Sequence, residues 1–339
     1  MNTKLLAADP KSVAEAGRLL AAGQVVGIPT ETVYGLGANA LDGAAVRQIF
    51  AAKGRPADNP LIVHIADFEQ IYGLVAKVPA HAKRLAEACW PGPLTIILPR
   101  AACIPNEVSA GLDTVGIRLP AHPVARAVIR AAGVPVAAPS ANTSGRPSTT
   151  TAAHVMADMA GKIAAVVDGG PCAVGVESTV VSLAGERPRL LRPGGISLEQ
   201  LEAVLGPVEV DRAIREKIGD DVRVSAPGMK YRHYAPHAPV TAVCGDPARG
   251  AAYIVSHLRE NAGVICFDEY ANDFAGHIVH TIGRSDDLGA QARAIFDALR
   301  AFDDTDVTEI WAQCPDDRGL GLAVANRLKK AAGFHVVTV

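Results

Sequence analysis

The sequence predicts an α/β protein of two domains, and three observations lead there. The chain has 339 residues, more than a single hydrophobic core usually organises. Short apolar runs of strand length alternate with amphipathic stretches of helical length. From about residue 207 to 239 that alternation lapses, and at Val240 it resumes as a regular strand–helix succession. Such a succession builds a mostly parallel, Rossmann-like sheet. Domains are expected over 1–207 and 240–339, with a linker or lid over 208–239.

Composition narrows the class. Hydrophobic residues make up 49% and charged residues 20%, as in a globular protein. Aromatics are scarce at 4%, which argues against a platform for stacking single-stranded nucleic acid. A net charge of −2 and a pI of about 6.6 give no overall field toward nucleic acid or membrane, although a local basic pocket is allowed. Six scattered cysteines, with no CxxC or Cys/His spacing, read as reduced thiols without a metal. The N-terminus is too short and polar for a signal peptide, and no apolar run reaches membrane-spanning length, so a cytoplasmic setting is expected.

In chain order, Pro10 to Ala22 reads as a helix closed by Gly23, followed by a buried strand over Val25–Pro29. Thr30-Glu31-Thr32-Val33-Tyr34-Gly35-Leu36-Gly37 is then a glycine-rich loop carrying hydroxyls, and it fits neither a P-loop nor a dinucleotide fingerprint. A helix over Ala44–Ala52 runs into Lys53-Gly54-Arg55-Pro56-Ala57-Asp58-Asn59-Pro60. Lysine as a point charge, arginine as a planar fork and glycine for close approach suit a polyanion. The same stretch equally reads as an ordinary helix end, with lysine near the last carbonyls and glycine as cap.

Leu61–Ile65 is an apolar strand carrying His64, a lone histidine of the kind that is usually structural. A helix over Pro79–Cys89, the rigid turn Trp90-Pro91-Gly92-Pro93 and a strand over Leu94–Leu98 follow. The strand Val115–Pro120 sets Arg118 among apolar neighbours. That charge needs a partner, either a structural carboxylate or one on a substrate. After a helix over Pro123–Ala132 and a strand over Val134–Ala138 comes the polar loop from Pro139 to Thr150. Its hydroxyls and Arg146 suit an anion or simply cap the helix that begins near Thr151. Strands are expected at Ala165–Gly170, Glu177–Leu183 and Leu190–Gly194, and a helix at Leu198–Leu205.

The linker holds Met229-Lys230-Tyr231-Arg232-His233-Tyr234, read either as packing between domains or as a lid over a bound anion. Beyond it, strands at Val240–Cys244, Val264–Phe267, His277–Ile282, Glu309–Cys314 and His335–Val339 alternate with helices at Ala251–Asn261, Asp287–Ala301 and Leu322–Ala332. Gly319-Leu320-Gly321 reads as a helix start rather than an anion loop.

Several stretches, in order, carry a resemblance. They are Pro29-Thr30-Glu31-Thr32-Val33-Tyr34-Gly35-Leu36, Lys53-Gly54-Arg55-Pro56 with Asn59-Pro60-Leu61, Trp90-Pro91-Gly92-Pro93-Leu94-Thr95, Pro139-Ser140-Ala141-Asn142, Leu191-Arg192-Pro193-Gly194, and the linker Pro227–Pro236. Through them the chain resembles the two-domain threonylcarbamoyl-AMP synthases over nearly its whole length. The resemblance implies a YrdC-like domain, a twisted mixed sheet with flanking helices and a central basic cavity, plus a smaller Rossmann-like domain. It implies synthesis of L-threonylcarbamoyladenylate from L-threonine, bicarbonate and ATP, with Mg2+ on the phosphates and no protein metal ligand. The product would pass to a separate tRNA threonylcarbamoyl transferase complex, without stable nucleic-acid binding by this chain.

By the same resemblance, Lys53, Arg55, Asn59, Thr114, Ser140, Ser148, Arg192 and Tyr231 hold ATP, with Lys53 and Arg55 as the catalytic charges. Thr32, His64, Arg118, Ser178 and the Ala138 backbone hold threonine, with Arg118 gripping its carboxylate in a two-pronged contact. An RNA-binding factor using the same pocket is the alternative, set against by the low aromatic content and negative charge. A hydrogenase-maturation role would need zinc-finger modules for which the cysteines give no pattern.

Overall fold

The computed structural model describes residues 2–217, 226 and 233–339; Tyr231 lies outside them. Two sheets organise these residues. The larger is mixed, and its strands run across it in the order Lys4–Ala7, Ala165–Asp168, Val26–Ile28, Gly35–Asn39, Val136–Ala137, Ile62–His64, Thr114–Arg118, Leu94–Pro99, Thr179–Ser182, Arg189–Arg192 and Glu209–Val210. The smaller has the order Ile278–Thr281, Ala262–Cys266, Glu309–Gln313, Val240–Cys244 and Val336–Thr338, and every pairing in it is parallel. The first is the mixed sheet and the second the parallel, Rossmann-like sheet that the sequence predicts.

Helix boundaries follow local chemistry. Asp9 caps the helix Pro10–Ala21 by accepting from the N–H groups of Lys11 and Ser12, and proline opens it. Asp42 does the same for Gly43–Lys53, and Gly54 ends that helix in the left-handed region at φ 61°. Expected and observed elements differ in several places, of which four bear on the architecture. The glycine-rich loop is half strand, because Gly35–Asn39 pairs antiparallel with Val26–Ile28. A Cβ on Gly37 would lie 2.8 Å from Val136 Cγ1, so its glycine serves close packing rather than a turn. The helix expected at Ala251–Asn261 is Pro247–His257, because Asp246 caps it and Pro247 occupies its first position. The edge strand Lys4–Ala7 is not among the expected elements, because its apolar run is only Leu5 to Ala8 and it lies largely exposed at the sheet edge. Finally, Glu209–Val210 pairs parallel with the strand Arg189–Arg192, so the first sheet runs two strand residues past 207.

Register brings polar groups to one level of an apolar sheet. His64 pairs with Arg118, and Arg118 stands opposite Thr95. Neighbours in register share a face, and Thr95 Oγ1 lies 2.8 Å from Ser178 Oγ. A polar row therefore crosses the sheet centre, flanked by the buried apolar residues Val63, Ile96, Ile117 and Val181.

The domains share a packed boundary. Val33, Val176 and Tyr234 belong to the same apolar cluster as Phe296 and Leu299 of the second domain. Ala226 of the linker is fully buried against Ile62, Ile97, Val180 and Leu191.

Candidate active site

The polar row opens into a cavity that is continuous with solvent. Of the residues singled out from sequence, Lys53, Arg55, His64, Arg118, Ala138, Ser140, Ser178 and Arg192 line it. Thr30, Asn142, Glu177, His233 and Tyr234 join them. Three of the lining basic residues, Lys53, Arg118 and Arg192, are buried.

The helix-end reading of the Lys53 stretch holds, because Gly54 caps the helix, while the Lys53 side chain turns inward to the cavity. Its Nζ donates to the carbonyls of Ser140 and Asn142. Burial, and then the neighbouring Arg55, push its pKa well below the ordinary lysine value. An incoming polyanion would favour the charged form again. Arg55 donates to the carbonyls of Asn59 and Pro60, 3.3 Å from each, which folds the proline turn around its guanidinium.

Arg192 donates from Nε and Nη2 to the Ser178 carbonyl at 3.1 and 2.9 Å, and from Nη2 to Ser178 Oγ at 3.1 Å. Burial lowers its pKa to about 10, with Glu177 acting the other way. His64 is buried, its Nδ1 3.2 Å from the Ile62 carbonyl; burial first, and then Arg118, push its pKa down to about 3, so it is neutral at pH 7.

Arg118 resolves the choice left open by its sequence setting. Its Nη2 donates to Glu31 Oε1 at 2.7 Å, so its charge partner in this structure is a carboxylate of the protein. Burial raises the Glu31 pKa and Arg118 more than offsets it. A two-pronged grip on a substrate carboxylate would have to share that guanidinium with Glu31, although Nε is buried without a hydrogen-bond partner.

Four other residues stand back from the wall. Thr32 Oγ1 lies 2.9 Å from Thr30 Oγ1, and it is Thr30 that faces the cavity. Ser148 is fully buried and gives its hydroxyl to Glu177 Oε1 at 2.6 Å. Asn59 is buried behind Arg55 with no partner for Oδ1. Thr114 starts the Arg118 strand two pleats away and lines an adjoining crevice that shares Ile62 with the cavity.

Sequence reasoning missed Glu177. It is buried, and its other oxygen, Oε2, accepts from Arg327 Nε at 2.7 Å. Burial opposes its charge, yet Arg327, Arg192 and the Ser148 hydroxyl hold its pKa down at about 2. An acidic residue opening an apolar strand was the available signal. Tyr234 closes one side, its ring 5.2 Å from that of Phe296 and 5.5 Å from the Arg327 guanidinium carbon. Burial, and then Glu177, raise its phenol to about 12.

The class so defined is an α/β enzyme-like domain with a cavity lined by buried basic residues, backed by a second parallel-sheet domain. Residues 18–194 match the family described as "Telomere recombination", and residues 196–333 match "Threonylcarbamoyl-AMP synthase, C-terminal domain". The chain belongs to the threonylcarbamoyl-AMP synthase family. It is 48% identical over 338 residues to the threonylcarbamoyl-AMP synthase of Bacillus subtilis, covering 99% of this chain and 97% of that one. It is 47% identical over 323 residues to the Pyrococcus abyssi protein of the same name, covering 94% and 93%. The structure of P. abyssi Sua5 complexed with L-threonine matches with a TM-score of 0.91 at 43% identity, covering all of both chains. Escherichia coli YciO shares the fold of the first domain alone, with a TM-score of 0.51 at 23% identity over 57% of this chain and 96% of that one. Among the described residues no helix is long and apolar enough to cross a membrane.

Proposed function

We propose that this chain synthesises L-threonylcarbamoyladenylate from L-threonine, bicarbonate and ATP, releasing pyrophosphate, for threonylcarbamoyl modification of tRNA beside the anticodon. The observation that carries the reading is the match along both whole chains to a structure complexed with L-threonine, joined to the basic cavity in this one. The threonine amine attacks the carbon of bicarbonate and water leaves, giving an N-carboxylate. A carboxylate oxygen then attacks the α-phosphorus of ATP, the bond to the β-phosphate breaks, and pyrophosphate departs.

Neither step needs a protein nucleophile. Burial pushes His64 toward its neutral form, and Glu177 has both oxygens engaged. Catalysis is positioning together with charge neutralisation by Lys53, Arg55 and Arg192. Arg118, Ser178 and the Ala138 backbone hold threonine, and Ser140 supports the phosphates. Hydroxyl donors at that end favour threonine over analogues lacking its hydroxyl. Because Glu177 is engaged, the described residues of the wall offer no carboxylate to a metal, and Mg2+ would arrive on the nucleotide phosphates. The product passes to a separate transferase in the cytoplasm.

Pyrophosphate release, measured with threonine and bicarbonate omitted in turn, tests the reading. Dependence on both supports it, and release with threonine alone in bicarbonate-free buffer would replace it with simple amino-acid adenylation. Lys53→Ala should lower turnover by about 10²–10³-fold; near-normal turnover would remove Lys53 from the machinery.

A further inference from the structure

We propose that Arg327, supplied by the second domain, is a positioning residue of the active site. It cancels the charge of Glu177 from behind and so keeps the cavity wall receptive to a nucleotide polyanion. The inference rests on the function proposed above.

The geometry is specific. Arg327 is fully buried on the helix Gly321–Ala331, yet its fork reaches into the first domain. Nε donates to Glu177 Oε2 at 2.7 Å, and Nη2 donates to the Pro193 carbonyl at 2.9 Å. Nη1 is held by Asn326 Oδ1 at 3.0 Å, and Asn326 Nδ2 is tied to the Ile214 carbonyl at 2.8 Å. The two segments it joins cross in contact. A Cβ on Gly194 would lie 2.2 Å from the Glu177 carbonyl oxygen and 2.3 Å from the Thr179 nitrogen. Pro193 follows Arg192, and Glu177 precedes Ser178. One guanidinium thus contacts both segments that carry the Arg192–Ser178 hydrogen bonds, whose crossing is itself held by close backbone packing.

Charge gives the contact its role. Glu177 is an anion in the wall of a cavity that must accept a polyphosphate. Alone, it would repel that ligand and draw on the charge of Arg192. Its neighbours are Ser148 Oγ, Arg192, Tyr234 and Arg327. Arg327 offsets it without facing the cavity itself. Lys330, buried on the same helix, has its pKa pushed down to about 7 by burial and then by Arg327, which leaves Arg327 as the firm charge on that side. In a buried setting, removing one member of such a pair leaves a costly uncompensated charge.

The test compares Arg327→Met, Arg327→Lys and the double variant Glu177→Gln/Arg327→Met in the full chain, with pyrophosphate release as readout. Arg327→Met should raise KM for ATP by roughly ten- to a hundredfold, and KM for threonine by much less. The double variant, with neither charge, and Arg327→Lys, with both, should fall within about threefold of the parent in KM for ATP. That recovery separates the proposal from plain interface packing, in which the double variant would be the worst of the three. If Arg327→Met does not fold, the other two carry the test. A double variant tenfold or more weaker for ATP than the parent overturns the inference. A parent that releases no pyrophosphate overturns the functional reading and the inference with it.

Discussion

The two sheets treat buried charge in opposite ways. At the centre of the mixed sheet, Lys53, His64, Arg118, Glu177 and Arg192 are buried around solvent-continuous space, each tied to a backbone carbonyl, a hydroxyl or an opposite charge. The parallel sheet closes on an apolar core with Ile265, Phe267, Phe296 and Ile310, and its buried Gln313 is satisfied on the spot by the Phe267 N–H and the Pro247 carbonyl. The second domain directs two buried arginines at the first. Arg300 donates to Asp158 and to the Pro147 and Ser148 carbonyls, and Arg327 donates to Glu177 and Pro193. The polar cavity thus belongs to the first sheet, and two arginines of the second domain tie down loops of the first.

The sharpest way to break this contrast is Gly194→Val. No side chain fits where the site strands cross, so the cost should exceed about 4 kcal/mol, with activity and folded yield both lost. Full activity in a soluble variant would mean the crossing can open. Next in size is Arg300→Met, which strips buried Asp158 of one of its two arginines. We expect about 3–5 kcal/mol in urea unfolding, with the two domains losing their joint transition.

A milder probe is pH. His64 has an ordinary pKa of 6.5 and a folded one of about 3, so the unfolded chain binds more protons between those values. Stability therefore falls as pH drops below 6.5, by up to about 1.4 kcal/mol per pH unit. Glu177, ordinarily 4.5 and about 2 when folded, adds a loss of the same sign below pH 4.5. His64→Asn should flatten the slope between pH 6.5 and 5 in urea titrations; an unchanged slope would contradict a buried neutral imidazole. The smallest effect belongs to neither sheet. Lys83 and Glu87 are exposed and 4.0 Å apart, so Glu87→Ala should shift unfolding by less than about 0.5 kcal/mol.

Most of the fold was legible because its signals are local. The helices Pro123–Ala132 and Leu198–Leu205 and the strand Val240–Cys244 fall where periodicity and caps put them. The cluster of Lys53, Arg55 and the Ser140 loop was legible from residue types that suit an anion, and Arg192 joined it only through the family resemblance. The partner of Arg118 was not, because Glu31 stands 87 residues away, in the loop before the strand Gly35–Asn39, and only the folded chain brings that loop to the Arg118 strand. Thr32 and Ser148 sit in site motifs but turn their hydroxyls to Thr30 and Glu177, a choice made by packing.

The sequence by itself determined the two α/β units, the basic character of the cavity and the family to which the chain belongs. These follow from period, cap chemistry and contiguous motifs, all of which act over a few residues. Only the tertiary structure decided which carboxylates stand beside those cations and that an arginine 150 positions from Glu177 pairs with it from behind. Charge pairing acts through space, and no spacing along a chain encodes which distant strands and helices meet.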